Sequence, residues 1–554
     1  MIGRFGVVGL SAFALLGCGG SPSLPAEVSM LPVVKGDCAP GQPKLEVSGS
    51  VVPSDAKSYL VLPVEVDSTT RRVEVGYGWS DNGPGTLPLD DTTIDLGLWD
   101  HHGYRKAAGF RGWSGNRQGR IQNGQAPVWI EANGAERGYS PAEIVGGTWY
   151  VELGIGAVTT AGANWFVEIE CLGDATANMA ENDPADPAYI ANPDPDWYHG
   201  DFHMHGYHSN PEGKRANDIA SQARAIGLDV LFYTEYVVPQ HWFEVGAAQR
   251  ANPDLLIYPG REIITYFGHA NTLGETPTVI DYRHGFEDVN LADIQRRSVA
   301  AGALFQVNHP TTFPGPVFAS VCRGCAFELS DEIDWGLVHT IEVVNAQIEA
   351  DAGQLGSPVP VGVTENPFVQ TAIDLWHEQL NAGHKITAVS GSDARGHEPQ
   401  VPGRSGYGSS ATALYASELS RQGIRQAIIE GKAQIKTYGA LFSPHAEVTV
   451  TTADGQSATF GEAVTIAATD SATLTIQVLN ANGQTLELLQ NGNLLLAIPI
   501  TSDDFSYSQP IARALNEGPL GTFWRFDVRA PADLTVPKTP IRTLIANPVW
   551  LQGG

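Results

Sequence analysis

Hydrophobic and polar positions alternate in two different styles along the chain, and the change between them outlines its regions. From about residue 41 to 172, short runs such as Tyr59-Leu-Val-Leu-Pro-Val-Glu-Val66, Thr93-Ile-Asp-Leu-Gly-Leu-Trp99 and Trp149-Tyr-Val-Glu-Leu-Gly154 are separated by Gly, Asp, Asn and Pro clusters. That punctuation predicts an antiparallel β-sandwich or jelly roll. Residues 173–196, rich in Asp, Asn, Ala and Pro, read as a linker. From about 441 to 554 the alternation returns, in Ala446-Glu-Val-Thr-Val-Thr451 and Thr473-Leu-Thr-Ile-Gln-Val478, and predicts a second β-sandwich.

Residues 197–440 differ in kind. Apolar runs at 228–233, 255–258, 303–307, 340–344 and 386–390 alternate with helical patterns, which predicts β/α units around a parallel sheet. One helix is expected over 216–226, stopping at Gly227, and another from a cap near Asn290 to Gly302. A third opens at Asn366-Pro367 and closes at Gly383. In β/α barrels the C-terminal strand ends converge on one face. Here those ends read Thr234-Glu235-Tyr236, Pro259-Gly-Arg-Glu262, Asn308-His309-Pro310 and Gly391-Ser392-Asp393.

Histidine use sharpens this. Of 15 histidines, 12 fall between His199 and His397. His203 and His205 are two apart, so in an extended segment they share a face. With Glu262, His309 and Asp393 they form a convergent set of imidazoles and carboxylates, suited to Zn, Mn or Fe rather than Ca or Mg.

Composition narrows the partners. The 554 residues carry 61 acidic against 33 basic side chains, a formal charge of −28 that disfavours nucleic acid and anionic membrane surfaces. A small-molecule substrate remains compatible if a bound cation dominates locally. At the start, Arg4 and an apolar run to Gly17 predict a signal peptide over 1–17, with 18–40 as a tether. Leu15-Leu16-Gly17-Cys18 resembles the lipobox of bacterial lipoproteins, which implies a lipidated Cys18 as the sole membrane attachment and a place in the bacterial cell envelope. A plain secretory signal is the alternative. Cys38 and Cys171 bracket the first β-rich segment and could staple it. Cys322-Arg-Gly-Cys325 could be half a zinc site, a redox pair or, preferably, a loop disulfide, since no partner pair exists.

Taken together, Asp201-Phe-His203-Met-His205, Thr234-Glu-Tyr236, Pro259-Gly-Arg-Glu262, Gly268-His269-Ala-Asn271, Asn308-His309-Pro310 and Gly391-Ser-Asp393-Ala-Arg395 resemble the PHP (polymerase and histidinol phosphatase) superfamily, most nearly its CehA/McbA-type metallohydrolase branch. Phe110-Arg-Gly-Trp-Ser-Gly115 resembles the domain that precedes the barrel in that branch. The resemblance implies a multi-domain chain with a central distorted (β/α)7 barrel between two β-sandwiches. It also implies that His203, His205, Glu262 and Asp393 hold one divalent metal, with Glu262 bridging to a second that His269 and His309 complete. Glu235 is implied as a ligand or as an orienting partner of a histidine. A third metal would need His208 together with Tyr236 and Arg395, neither of which is a plausible ligand, so two ions are expected. Arg395 is then the candidate grip on a substrate oxygen, or a surface residue paired with Glu398, and His208 the candidate general acid. His397 is spaced wrongly for a ligand and is expected in solvent, while Trp242, Phe243 and Trp335 are pocket or core aromatics. The expected activity is phosphoester hydrolysis; amide, carbamate or ester hydrolysis and a non-catalytic envelope protein are the alternatives.

Overall fold

The computed structural model describes residues 28–554 apart from 33, 87–89, 105–107, 118–126, 181, 211–212, 275–279, 287–288, 316–317, 319–321, 346–348, 352–362, 397–405 and 532–540. The signal segment and Cys18 lie outside the described residues, as does His397. The chain is β-rich and multi-domain.

Toward the N-terminus, a pair of sheets face each other. One contains Val28–Met30, Ser58–Val66, Gly147–Ala157, Thr93–Trp99 and Phe110–Trp113; the other contains Leu45–Val51, Ala163–Leu172, Arg72–Asp81 and Val128–Glu131. Val64, Leu96, Leu153 and Val167, taken from alternate positions of these strands, pack between them. A Cys38–Cys171 disulfide, with Cα atoms 5.3 Å apart, links the two ends of this unit. Residues 28–30 and 34–38, read from sequence as tether, instead pair in parallel with Ser58–Val66. Main-chain hydrogen bonds recruit such short edge strands, and they leave little periodicity to detect.

The elements that position the central site are β1 (Asp196–Met204), α1 (Ala216–Ala223), β2 (Val230–Tyr236), α2 (Val245–Ala251), β3 (Leu256–Thr265), β4 (Gly268–Leu273), α3 (Leu291–Ala300), β5 (Leu304–Val307), β6 (Thr340–Asn345), α4 (Pro367–Ala382), β7 (Thr387–Gly391), β8 (Ala411–Ala416), α5 (Arg421–Glu430) and β9 (Ala433–Lys436). Three helices start and stop where sequence predicts. Asn290 Oδ1 accepts from Asp293 N at 2.8 Å, Asn366 Oδ1 accepts from Phe368 N at 3.0 Å, and Gly383 closes α4 at φ 100°.

The sheet is mixed rather than wholly parallel. β1, β2 and β3 run parallel, as do β5, β6 and β7, but β4 is antiparallel to both β3 and β5. Two residues, Tyr266 and Phe267, separate β3 from β4, and so short a connection can join only antiparallel neighbours. β4 is buried throughout, so its sequence shows no alternation. Beyond β7 the chain turns back onto the end of β1: Met204 bridges Ala394, His205 N donates to Ala394 O at 2.9 Å, and Asp393 N donates to His203 O at 2.8 Å.

β9 also pairs with Arg542–Ala546, so hydrogen bonding continues into the C-terminal strands Thr522–Arg529 and Thr485–Gln490 without a break near residue 440. A second sheet, including His445–Thr452, Ala472–Leu479 and Asp504–Ile511, covers them. On the other side, Tyr59, Trp99, Phe110 and Trp113 of the N-terminal sheets share one hydrophobic core with Tyr266, Tyr282 and Phe305 of the central region. Among the described residues no helix is long and apolar enough to cross a membrane.

Candidate metal centre

The site is built where β1 ends. Asp201 is buried and accepts hydrogen bonds from the backbone N–H groups of Ser392 (2.8 Å), Gly408 (2.9 Å) and His203 (3.2 Å). Burial pushes its carboxyl up to about 6, against the pull of those donors. Asp201 thus splices β1 to the segment after β7. Gly391 makes that approach possible: a Cβ there would lie 2.3 Å from His203 Cβ and 2.6 Å from Glu342 Oε1.

Around this splice the predicted residues meet. His203 Nε2 and His205 Nε2 are 3.2 Å apart. His205 Nε2 lies 3.2 Å from both Glu262 Oε2 and Asp393 Oδ1, and His203 Nε2 lies 3.8 Å from Asp393 Oδ1. On the other side of the same carboxylate, Glu262 Oε1 stands 3.2 Å from His269 Nδ1 and 3.5 Å from His309 Nε2. Residues from β1, β4 and the segments after β1, β5 and β7 therefore surround Glu262 of β3.

The hydrogen bonds on the far side of each ring decide what the rings offer. His203 Nδ1 faces Glu342 at 3.2 and 3.3 Å, His309 Nδ1 faces Cys325 O at 3.0 Å, and His269 Nε2 faces Arg323 O at 2.7 Å. Carbonyl and carboxylate oxygens only accept, so those nitrogens carry the protons. The remaining nitrogen of each ring faces the Glu262 carboxylate, where either a second ring proton or a cation must lie between the two. This donor set fits divalent metal ions.

The electrostatics agree. Burial opposes charge on His203, yet Glu342, Glu262 and Asp393 outweigh it and hold the imidazole well above its usual value. Burial alone would raise the Glu262 and Asp393 carboxyls, but His203 and His205 hold both low, with Arg395 the largest such influence on Asp393. His269, by contrast, is lowered by burial. The pocket demands positive charge that its four rings cannot all supply. Asp393 Oδ1 is buried with no hydrogen-bond donor of acceptable geometry. Two site residues also adopt left-handed backbone, His309 at φ 29° and Asp393 at φ 48°. Such non-glycine conformations cost about 1–3 kcal/mol each and concentrate at functional sites.

Other predicted residues fall elsewhere. Both Glu235 oxygens are taken by the His208–Ser209 turn, through His208 N (3.1 Å), Ser209 N (3.0 Å) and the Ser209 hydroxyl, so Glu235 braces that loop rather than joining the ligand cluster. His208 Nε2 pairs with Glu244 at 3.0 Å, and its Nδ1 is buried without a partner. Tyr236 packs against His205 with ring centroids 4.4 Å apart and the rings tilted by 44°. Arg395, 46% exposed, stands at the mouth, 3.6 Å from Asp393 and over the Tyr236 ring. Among the described residues no third ligand cluster includes His208. Trp242 is buried against Arg261, and Trp335 packs on the main core with its indole N–H on Ser330 O, so both are structural. Phe243, half-buried, ends the same short helix as the buried Trp242. Sequence reasoning missed Glu342, although an acid inside Thr340-Ile-Glu-Val-Val344 was the available signal.

No family model matches the chain, and no curated protein does. Among solved structures, the chain is similar to a two-domain protein from Bacteroides vulgatus containing a predicted PHP-like metal-dependent phosphoesterase, at 16% identity and a TM-score of 0.32 over 67% of this chain and 100% of that one. It is similar to a protein from Bifidobacterium adolescentis proposed to be a metal-dependent phosphoesterase, at 12% identity and 0.26 over 41% and 95%. An amidohydrolase from Chromobacterium violaceum with bound sulfate matches at 14% identity and 0.22 over 37% and 92%.

Proposed function

We propose that this chain is a metal-dependent hydrolase of the PHP type that cleaves a phosphoester, with β1–β7 as a distorted seven-stranded barrel. The observation that carries the reading is the set of three rings, His203, His269 and His309, whose outward nitrogens are committed to acceptors while their inward nitrogens face Glu262. His203, His205, Glu262 and Asp393 would hold one divalent ion, and Glu262, His269 and His309 a second, of Zn, Mn or Fe. Such a pair lowers the pKa of a water to near neutrality and polarises the scissile P=O or C=O.

The chain's own residues do the rest. Arg395 at the mouth offers a guanidinium to an anionic substrate oxygen. His208, held through Nε2 by Glu244, is assigned the proton for the leaving group. Tyr236 and Arg395 occupy positions where a third ion would need histidines, which supports a count of two. Lipidation at Cys18 and a cell-envelope location belong to the same proposal.

The test is a panel of p-nitrophenyl phosphate, phosphodiester, acetate and anilide substrates, each with Zn, Mn or Fe added. Phosphoester turnover that disappears in His203→Ala and Asp393→Ala, with circular dichroism unchanged, is the expected result. Ester or anilide turnover alone would move the assignment to the carbonyl class, and no turnover with no bound metal would end the hydrolase reading.

A further inference from the structure

We propose that the four-residue Cys322–Cys325 disulfide loop is a positioning device for the second ion pocket alone, and that the N-terminal sandwich holds it in place. The inference rests on the two-ion reading above. Both hydrogen bonds that fix the rings of that pocket come from this one loop: His269 Nε2 donates to Arg323 O at 2.7 Å, and His309 Nδ1 donates to Cys325 O at 3.0 Å. The first pocket takes its orientation from elsewhere, through Glu342 on His203.

The loop is wedged between the two segments that carry these histidines. Gly324, at φ +86°, packs so closely on the β3–β4 turn that a Cβ would lie 2.4 Å from Thr265 O. Just beyond it, Ala326 bridges Thr311, Phe327 N donates to Pro310 O at 2.8 Å, and Glu328 N donates to Phe267 O at 2.7 Å. The disulfide spans 5.4 Å between Cα atoms and removes the freedom a four-residue turn would otherwise have. A backbone acceptor can hold a ring tautomer only as firmly as its own peptide is held, so loop rigidity becomes ligand geometry.

The clamp continues outward. Arg323 reaches across to Asp95 Oδ2 at 3.5 Å, a fully buried carboxylate on Thr93–Trp99 of the N-terminal sandwich. Tyr266, in the β3–β4 turn, donates its hydroxyl to the same Asp95 oxygen at 3.0 Å. One sandwich carboxylate thereby ties down both the disulfide loop and the turn that delivers His269. This gives the sandwich a role in the site without any contact to the ions.

The experiment is zinc titration of the metal-stripped full chain by calorimetry, backed by metal content after dialysis against buffered zinc. Wild type, Cys322→Ser/Cys325→Ser and Asp95→Asn are compared, with cobalt substitution giving a spectrum of each pocket. The expected result is a second-ion affinity lowered by about tenfold or more in both variants, with the first ion's affinity and spectrum retained. Two ions bound as in wild type by the folded variants would overturn the proposal. So would loss of both ions together, which would mark a general structural role. If the cysteine variant does not fold, Asp95→Asn decides by the same readout. Wild type binding no divalent ion would instead overturn the hydrolase reading, so the two failures are distinct.

Discussion

Glu342 lies 3.2 Å from His203 Nδ1, and both side chains are fully buried. The same carboxylate accepts the backbone N–H of His309 at 3.0 Å. It orients the His203 ring and anchors the backbone from which His309 projects. Glu342→Gln keeps the shape but can present an N–H to Nδ1, which favours the wrong tautomer. Metal affinity should fall by about 10–100-fold, read by dialysis against buffered zinc. Unchanged affinity would remove Glu342 from the site's support.

Gly391 is required for β7 to approach β1. Gly391→Ala puts a methyl 2.3 Å from His203 Cβ, so the strands must separate. Overpacking of this kind costs about 1–3 kcal/mol. A lower denaturant midpoint, with metal content reduced as well, is the expected outcome.

Glu152 gives the junction between sandwich and central sheet a pH dependence. Burial pushes its carboxyl up to about 7, despite Arg283 and hydrogen bonds from Tyr104 and Tyr282 that pull it down. The unfolded chain releases this proton near pH 4.3. Between those values the folded state binds more protons than the unfolded, so the group's stabilisation, complete below about 4.3, is lost as pH rises toward about 7. Thermal scans should show Glu152→Gln with a flatter pH profile across that window than wild type.

The Cys38–Cys171 disulfide closes a sequence separation of 133 residues. Replacing both cysteines by alanine should destabilise the N-terminal sandwich by about 2–5 kcal/mol. Urea unfolding followed by tryptophan fluorescence measures this directly, and an unshifted curve would contradict it.

Much of the site was legible because local chemistry carries it. His203 and His205 share a face through strand geometry alone, and His309 and Asp393 each follow an apolar run, whereas Glu262 lies inside β3 rather than at its end. Helix limits at Asn290, Asn366 and Gly383 were legible for the same reason, since capping needs only neighbours in sequence. Tertiary structure decided the rest. The antiparallel turn of β4, the diversion of Glu235 to the His208–Ser209 loop and the pairing of Glu342 with His203 each depend on partners remote in the chain. Local patterning selects which residues can bind a cation. Only the packed sheet settles which lone pairs are left to do so, because hydrogen bonds between distant segments choose the tautomers.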